Sequence, residues 1–153
     1  MFYKNGSKYI GNFKQGRRSG YGVLHGEDTT YKGNWEEDAY NGEGQLLMKN
    51  KFLYKGEFNN GMMQGKGEIT LYHPNSKSPK EVYSGDFKNN ERCGHGKVEL
   101  AEGSGCYEGE WVGDLKHGEG FERCEEEVWG IFEEKAPDGY QDLGKATEKV
   151  KKF

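Results

Sequence analysis

The side chains that perform acid–base catalysis are present in this sequence, but their spacing follows no catalytic pattern. The four histidines are scattered, and His117 precedes a Gly-x-Gly pair at a place that other parts of the chain fill with Ser, Asn, Gln or Cys. A place that accepts so many residue types is not a required base or ligand. Carboxylates are abundant, notably Glu125 to Glu127, but nothing in the pattern buries two of them as a tuned pair. We therefore predict no catalytic residues and no enzymatic activity.

Nitrogen and sulfur ligands for a metal are available in Cys93, His95, Cys106 and Cys124. Their spacing matches no zinc pattern, so we predict no metal site. The Gly-x-Gly pairs are not followed by the helix and Lys-Ser/Thr element of a phosphate loop, so we predict no cofactor. Three cysteines without framework spacing favour a reducing, intracellular setting. The sequence contains no apolar stretch approaching the ~18 residues of a membrane span.

One pattern of aromatic residues and glycines recurs five times and accounts for most of the chain. It reads aromatic, x, Gly, x, aromatic, then a turn, then Gly-x-Gly. Such regular repetition is typical of an array of identical small units. The five copies begin at Tyr9, Tyr31, Tyr54, Tyr83 and Tyr107.

The spacing within each copy predicts a β-hairpin. Alternate residues of a strand point to the same face, so Tyr9, Gly11 and Phe13 share one face. The residues between them, Ile10 and Asn12, point the other way, and their equivalents in later copies are polar, as on the solvated side of a single sheet. The glycine leaves a gap in which we expect a ring of the neighbouring hairpin to lie. These structural glycines are Gly11, Gly33, Gly56, Gly85 and Gly109.

The turn of each hairpin falls on a residue that tolerates a positive φ angle or caps a turn. The spacing from there to the Gly-x-Gly pair predicts a loop of four to five residues. Apolar residues follow that pair at alternate positions, which predicts the second strand. The turn positions are Gly16, Asp38, Gly61, Asn90 and Asp114.

The repeats end before the chain does. We assign the array to residues 1–135, with an inserted loop at 73–80, and interpret Val128, Gly130 and Phe132 as a decaying sixth copy that caps it. Residues 136–153 begin with the turn at 137–139. The helical spacing of Leu143, Ala146, Val150 and Phe153 then predicts a short amphipathic helix, which either caps the last hairpin or binds a partner.

Charge is distributed unevenly along the chain. Residues 1–35 carry six basic and two acidic side chains, whereas residues 99–134 carry two basic and twelve acidic ones. Such a distribution is typical of a solvated surface. It is also compatible with self-association or with the steering of charged partners.

The pattern Tyr-x-Gly-x-Trp/Phe-x-x-Gly-x-x-x-Gly-x-Gly resembles the MORN (membrane occupation and recognition nexus) repeat over about residues 1–135. Asp38, Asn90 and Asp114 replace the turn glycine, and all three suit a turn. The resemblance implies an all-β fold, an elongated single-layer antiparallel sheet of hairpins. It also implies a cytoskeletal or membrane-associated scaffold that binds a peptide or helix of a partner, such as a motor protein, and that can form a homodimer.

A one-layer sheet has no second layer to cover its apolar face. We therefore expect some rings to remain open in a groove, and Tyr and Trp are favoured as interface anchors. An amphipathic helix or an extended peptide would lie along that groove. The predicted groove residues are Tyr9, Phe13, Tyr31, Trp35, Tyr54, Phe58, Tyr83, Phe87, Tyr107 and Trp111.

Two other functions stay open, and both follow from the resemblance. The chain could be a regulatory segment of a larger enzyme, or a module that binds phosphoinositides and membranes. The acidic stretch would be repelled by anionic lipid, and it also argues against nucleic-acid binding. We expect the protein in the cytoplasm, at the cytoskeleton or a membrane. The candidate lipid contacts are Lys4, Lys8, Lys14, Arg17, Arg18 and Lys32.

Overall fold

The computed structural model describes residues 1–103, 105–124 and 147–152. Within these residues the chain forms one antiparallel sheet whose strands lie in sequence order, which confirms the predicted all-β array of hairpins. A single 3₁₀ turn, Ala101–Gly103, interrupts it. The strands are β1 Lys8–Lys14, β2 Arg17–His25, β3 Thr29–Glu36, β4 Ala39–Met48, β5 Phe52–Asn59, β6 Met62–Tyr72, β7 Pro79–Lys88, β8 Glu91–Leu100, β9 Cys106–Val112, β10 Leu115–Cys124 and β11 Thr147–Lys152.

The hairpin turns have two residues, so the predicted loops of four to five residues are wrong. Gln15 and Gly16 join β1 to β2 with φ of 51° and 77°, and the other four hairpins repeat this geometry. Two consecutive positive φ angles give a turn whose twist matches that of the paired strands. The prediction that the turn position takes a positive φ is confirmed. The spacing was misleading because Gly20, with φ of 69°, lies in a bulge within β2 rather than in the loop.

The longer gap between the third and fourth copies is a loop, as predicted, although it is shorter than residues 73–80. It is closed by hydrogen bonds from His73 N to Ser78 O (3.1 Å) and from Ser76 N to His73 O (3.1 Å). Pro79 is the first residue of β7. A strand tolerates proline at its first position because the N–H that proline lacks is not needed there for a hydrogen bond to the neighbouring strand.

The predicted C-terminal helix is not formed at 147–152, which pair with β10 as the antiparallel strand β11. The edge of β10 offers unpaired N–H and C=O groups, and a strand satisfies them where an isolated short helix would not. The other residues of the predicted helix, Leu143, Ala146 and Phe153, lie outside the described residues. So do Val128, Gly130 and Phe132 of the decaying sixth copy.

The core lies on one face of the sheet, here called the ring face, and consists mainly of aromatic side chains. The opposite face carries the alternate residues, among them Lys32, Lys55 and Glu108, and is solvated. No helix of the described part is long and apolar enough to cross a membrane.

Candidate functional site: the ring face

The first tyrosine of every repeat is held by its own hairpin. Its hydroxyl donates a hydrogen bond to the carbonyl oxygen three residues later, as Tyr54 does to Glu57 O at 2.9 Å. The bond recurs in all five repeats at 2.8–3.0 Å. Burial raises the pKa of each of these phenols above the ordinary value.

Each of these rings lies over a pair of glycines that face each other across two strands. Tyr31 covers Gly33 and Gly44, and a Cβ at Gly33 would come within 2.5 Å of the Gly44 Cα. The expectation of a ring above bare backbone is thus correct, but the ring belongs to the same hairpin rather than to its neighbour. The reason is the hydrogen bond that the tyrosine hydroxyl donates, which holds the ring along its own strand.

The second aromatic residue of each repeat connects neighbouring hairpins. Trp35 packs edge-on against Tyr9 of the preceding repeat with 5.4 Å between ring centroids, and its Nε1 donates to Gly22 O at 3.2 Å. Phe58, Phe87 and Trp111 repeat the ring contact at 5.1–5.3 Å. Edge-to-face pairs at this separation add stability beyond the area they bury.

A further layer, which sequence reasoning missed, covers the rings. Two residues after each turn position stands a side chain, here called the lid, which is the cross-strand partner of the second aromatic residue. The Arg18 guanidinium lies 4.4 Å from the Trp35 ring centroid, and Tyr40 stacks on Tyr31 at 3.8 Å. A fixed offset from the turn was the signal that could have revealed them. The lids are Arg18, Tyr40, Met63, Arg92 and Lys116.

The first four lids are also hydrogen-bonded to the turn of the next hairpin. Asp38 N donates to Arg18 O at 3.1 Å, and Arg18 N donates back to Asp38 Oδ1 at 2.8 Å. The guanidinium Nε of Arg18 adds a third bond to the same carboxylate oxygen at 2.9 Å. These hydrogen bonds hold the pKa of Asp38 below its usual range. Arg92 and Asp114 repeat the arrangement.

The type of turn residue matches the type of lid. A charged Arg lid meets Asp, whereas the Met63 lid meets neutral Asn90, whose Oδ1 accepts from Met63 N at 2.8 Å. Gly61 has no side chain and contributes only its N–H, which donates to Tyr40 O at 2.9 Å. The side chains that replace the turn glycine therefore form hydrogen bonds to the preceding repeat, in addition to suiting the turn.

The predicted groove rings are mostly beneath this layer. Of the ten, Phe13 is 43% exposed because no hairpin precedes it within the described array, and the other nine are buried. The ring face presents the half-buried lids Arg18, Tyr40, Arg92 and Lys116 to solvent, together with Phe13, whereas the Met63 lid is buried. A depression of about 320 Å³ lies beside Arg18, Trp35 and Tyr40. Binding by the ten rings stays a prediction, and contact with a partner would be made largely through the lids.

The predicted lipid contacts do not all lie on one face, because Arg18 belongs to the ring face whereas Lys14, Arg17 and Lys32 alternate with ring-face residues. Arg17 and Arg18 are paired with Glu37 and Asp38, at 3.8 and 2.9 Å. Lys32 lies on the opposite face, since it alternates with buried Tyr31. Lipid binding through this set is untested and stays a prediction.

The potentially reactive side chains of the described part are also located. His95 Nε2 lies 3.1 Å from Glu108 Oε1 on the opposite face, in an exposed pair. Burial raises the pKa of the Cys93 thiol, which makes it less reactive. No group of three His, Cys, Asp or Glu among the described residues could hold a metal ion.

Comparison with known proteins agrees with this geometry. The family model of the MORN repeat matches residues 9–30, 31–50, 54–72, 83–105 and 107–125. Similar relatives include Alsin of Homo sapiens and Alsin of Mus musculus, each 35% identical over 98 residues. The match covers 63% of this chain and 6% of the length of those relatives.

Proposed function

Because the chain belongs to the MORN-repeat family, we propose that it is a non-catalytic scaffold that binds a peptide or helix of a protein partner along its ring face. A cytoskeletal, motor or membrane-associated protein is the partner class that the family resemblance favours. The scaffold would act in the cytoplasm, at the cytoskeleton or a membrane.

The observation that carries this proposal is the row of lids. Arg, Tyr and Met side chains are enriched in the centres of protein interfaces. In this protein they stand at the first four hairpins on a base of buried rings, and the hydrogen bonds between repeats hold their backbones in place. Pre-ordered side chains lose little freedom when a partner binds, so they favour affinity.

The experiment is affinity capture from the source cells, followed by measurement with the identified partner. Phe13→Ser and Tyr40→Ser change the ring face. Ile10→Ser and Tyr21→Ser are the matched controls, because Ile10 and Tyr21 are 55% and 50% exposed. We expect the first pair to weaken binding at least ten-fold and the second pair to leave it unchanged. Equal binding by both pairs of folded variants would exclude the ring face.

A second candidate is a regulatory segment of a larger enzyme. It is favoured by one observation, that the similar region of Alsin makes up 6% of that protein. Sequencing the full transcript tests it, since a catalytic domain in the same reading frame would support it. Homodimer formation and phosphoinositide binding are further possibilities from the family resemblance, to be tested by analytical ultracentrifugation and vesicle sedimentation.

A further inference from the structure

The opposite face carries an apolar row that the ring-face proposal does not use. Leu47 pairs with Leu53 across β4 and β5, Leu53 with Thr70, and Thr70 with Val82. These residues alternate with buried ring-face residues, so they project from the opposite face. Leu47 is 41% exposed. With neighbouring strands ~4.8 Å apart, the row is roughly 14 Å long.

One end of the row opens into a depression at the edge of the sheet where β4 and β6 end. Its volume is about 240 Å³, and Leu47, Tyr72 and the loop residue Ser76 form part of its wall. The inserted loop, whose backbone is closed on itself between His73 and Ser78, forms one side of the depression. The depression therefore offers room for an apolar side chain of a partner.

Lysines are concentrated on the outer side of this apolar row, near the connections between strands. Lys49 and Lys77 line the depression, Lys51 follows in the connection between β4 and β5, and Lys80 stands at the start of β7. All four are exposed, and within the described part of the chain none takes part in an ion pair. On the inner side, Lys55 is exposed on the same face, but its cross-strand partner is the exposed Glu68, so the excess of positive charge lies on the outer side alone.

We propose that this row is a docking site for an acidic amphipathic helix of a partner protein. An apolar stripe flanked by carboxylates on one side matches an apolar row flanked by ammonium groups on one side. A helix rises 1.5 Å per residue, so about ten residues would cross the row.

The surrounding charges favour a peptide over a membrane. On the same face, Glu99 and Glu108 follow within the next two hairpins, and a flat anionic bilayer would have to approach them together with the lysines. Glu27 and Asp28 end the basic zone on the other side. A narrow helix can be confined between these acidic borders, whereas a membrane surface cannot.

The test uses the full chain and a labelled helical peptide in which Leu recurs at i, i+3, i+4 and i+7 and Glu fills one flank of the apolar stripe. A scrambled peptide of the same composition is its control. By fluorescence anisotropy we expect the helical peptide to bind at least ten-fold tighter than the scrambled one, and binding to weaken as salt is raised. Equal binding of the two peptides, or no binding of either, overturns the proposal.

Variants locate the site. We expect the double change Lys49→Glu and Lys77→Glu to weaken binding at least ten-fold, and Leu47→Asn at least three-fold. The matched control, Lys14→Glu with Lys88→Glu, makes the same change of net charge at exposed lysines next to the turns and should alter Kd less than two-fold. Equal losses in both double variants overturn the proposal.

Two further measurements separate the alternatives. Phosphatidylserine vesicles should not compete with the peptide, and lysine-dependent binding to vesicles alone would assign the row to a membrane and overturn the proposal. Phe13→Ser on the ring face should leave the peptide affinity unchanged. The proposal of this docking site and the proposal of a ring-face function can therefore fail independently. A loss of peptide binding in Phe13→Ser would contradict a docking site separate from the ring face.

Discussion

The smallest unit that explains this protein is one tyrosine above two glycines. The ring fills the space that two missing side chains leave, and the hydroxyl is satisfied by its own strand, as for Tyr54 and Glu57 O. A buried phenol needs such a partner, because an unsatisfied hydroxyl costs the desolvation that burial imposes. Ring, glycine pair and acceptor are therefore one structural device.

The two contributions of this tyrosine can be separated. We expect Tyr54→Phe, which keeps the ring and removes one hydrogen bond, to lower the free energy of unfolding by about 1 kcal/mol. Tyr54→Ala, which also empties the space above the glycines, should cost about 3–5 kcal/mol. Chemical denaturation measures both. Tyr21→Phe is the control at a half-exposed tyrosine and should stay within about 0.5 kcal/mol of the wild type; a similar loss there would contradict a specific role of the buried hydroxyl.

The raised pKa values of Tyr31, Tyr54 and Tyr83, caused mainly by burial, predict alkaline instability. Above pH ~10 the unfolded chain loses phenolic protons that the folded chain retains, so stability falls as pH rises. Absorbance of phenolate at 295 nm should rise together with loss of β-sheet circular dichroism. Ionisation of all ten tyrosines near pH 10 in a folded protein would contradict this expectation.

At the scale of the hairpin, the joint between repeats matters more than the hairpin itself. Ring contacts, a turn N–H and, in three joints, a turn side chain all cross from one repeat to the next. A two-stranded hairpin alone is marginally stable in water, so these joints supply what the single unit lacks.

Asn90 allows the joint to be tested without a change of charge. Asn90→Gly keeps the positive φ of 69° and removes the acceptor of the Met63 N–H, so it should lower stability by about 1 kcal/mol. Asn90→Ala must also hold a Cβ in the left-handed region and should lose a further ~1–2 kcal/mol. Asn90→Asp retains the acceptor but adds one negative charge, and it is the control in thermal unfolding. Equal stability of the Gly and Asn proteins would show that the joint needs only the backbone bond.

These elements also show how far the sequence could be read. Strand pairing, the ring face and the positive φ at positions such as Asp38 followed from types and spacing, because period two and turn chemistry are local. The bulge at Gly20 was hidden because a glycine in a bulge and a glycine in a loop look alike. The lids could not be predicted because the sequence pattern indicates only that Arg18 is a surface charge. Its position over Trp35 depends on the neighbouring hairpin. The solvent exposure of the groove rings was overestimated because the lids that cover them were not predicted.

At the scale of the whole molecule, the sheet is a linear series. Each strand makes its main contacts with the strands next to it in sequence, so stability propagates from neighbour to neighbour as in other repeat proteins. The central strands have partners on both sides, while β1 forms an edge that a short bridge between Phe2 and Lys8 covers only in part.

This linear order predicts a gradient of local stability. Backbone amides of β4 to β7 should exchange with solvent most slowly, and those of β1 fastest among the strands of the array, because end units open without breaking the centre. Hydrogen exchange followed by mass spectrometry measures the gradient. Uniform protection from β1 to β10 would show that the array unfolds as a single cooperative unit.

Because the types of lid and turn residue match, the array can be cut and rejoined at equivalent joints between repeats. A segment cut at one Arg–Asp joint and rejoined at the other keeps identical chemistry on both sides of the seam, since Arg18 meets Asp38 as Arg92 meets Asp114. Removing the stretch between those two joints, from Gly20 to Cys93, would leave Arg18 facing Asp114 across a native-like seam. The array can thus be lengthened or shortened by whole hairpins, and each new joint keeps a contact that the protein already contains.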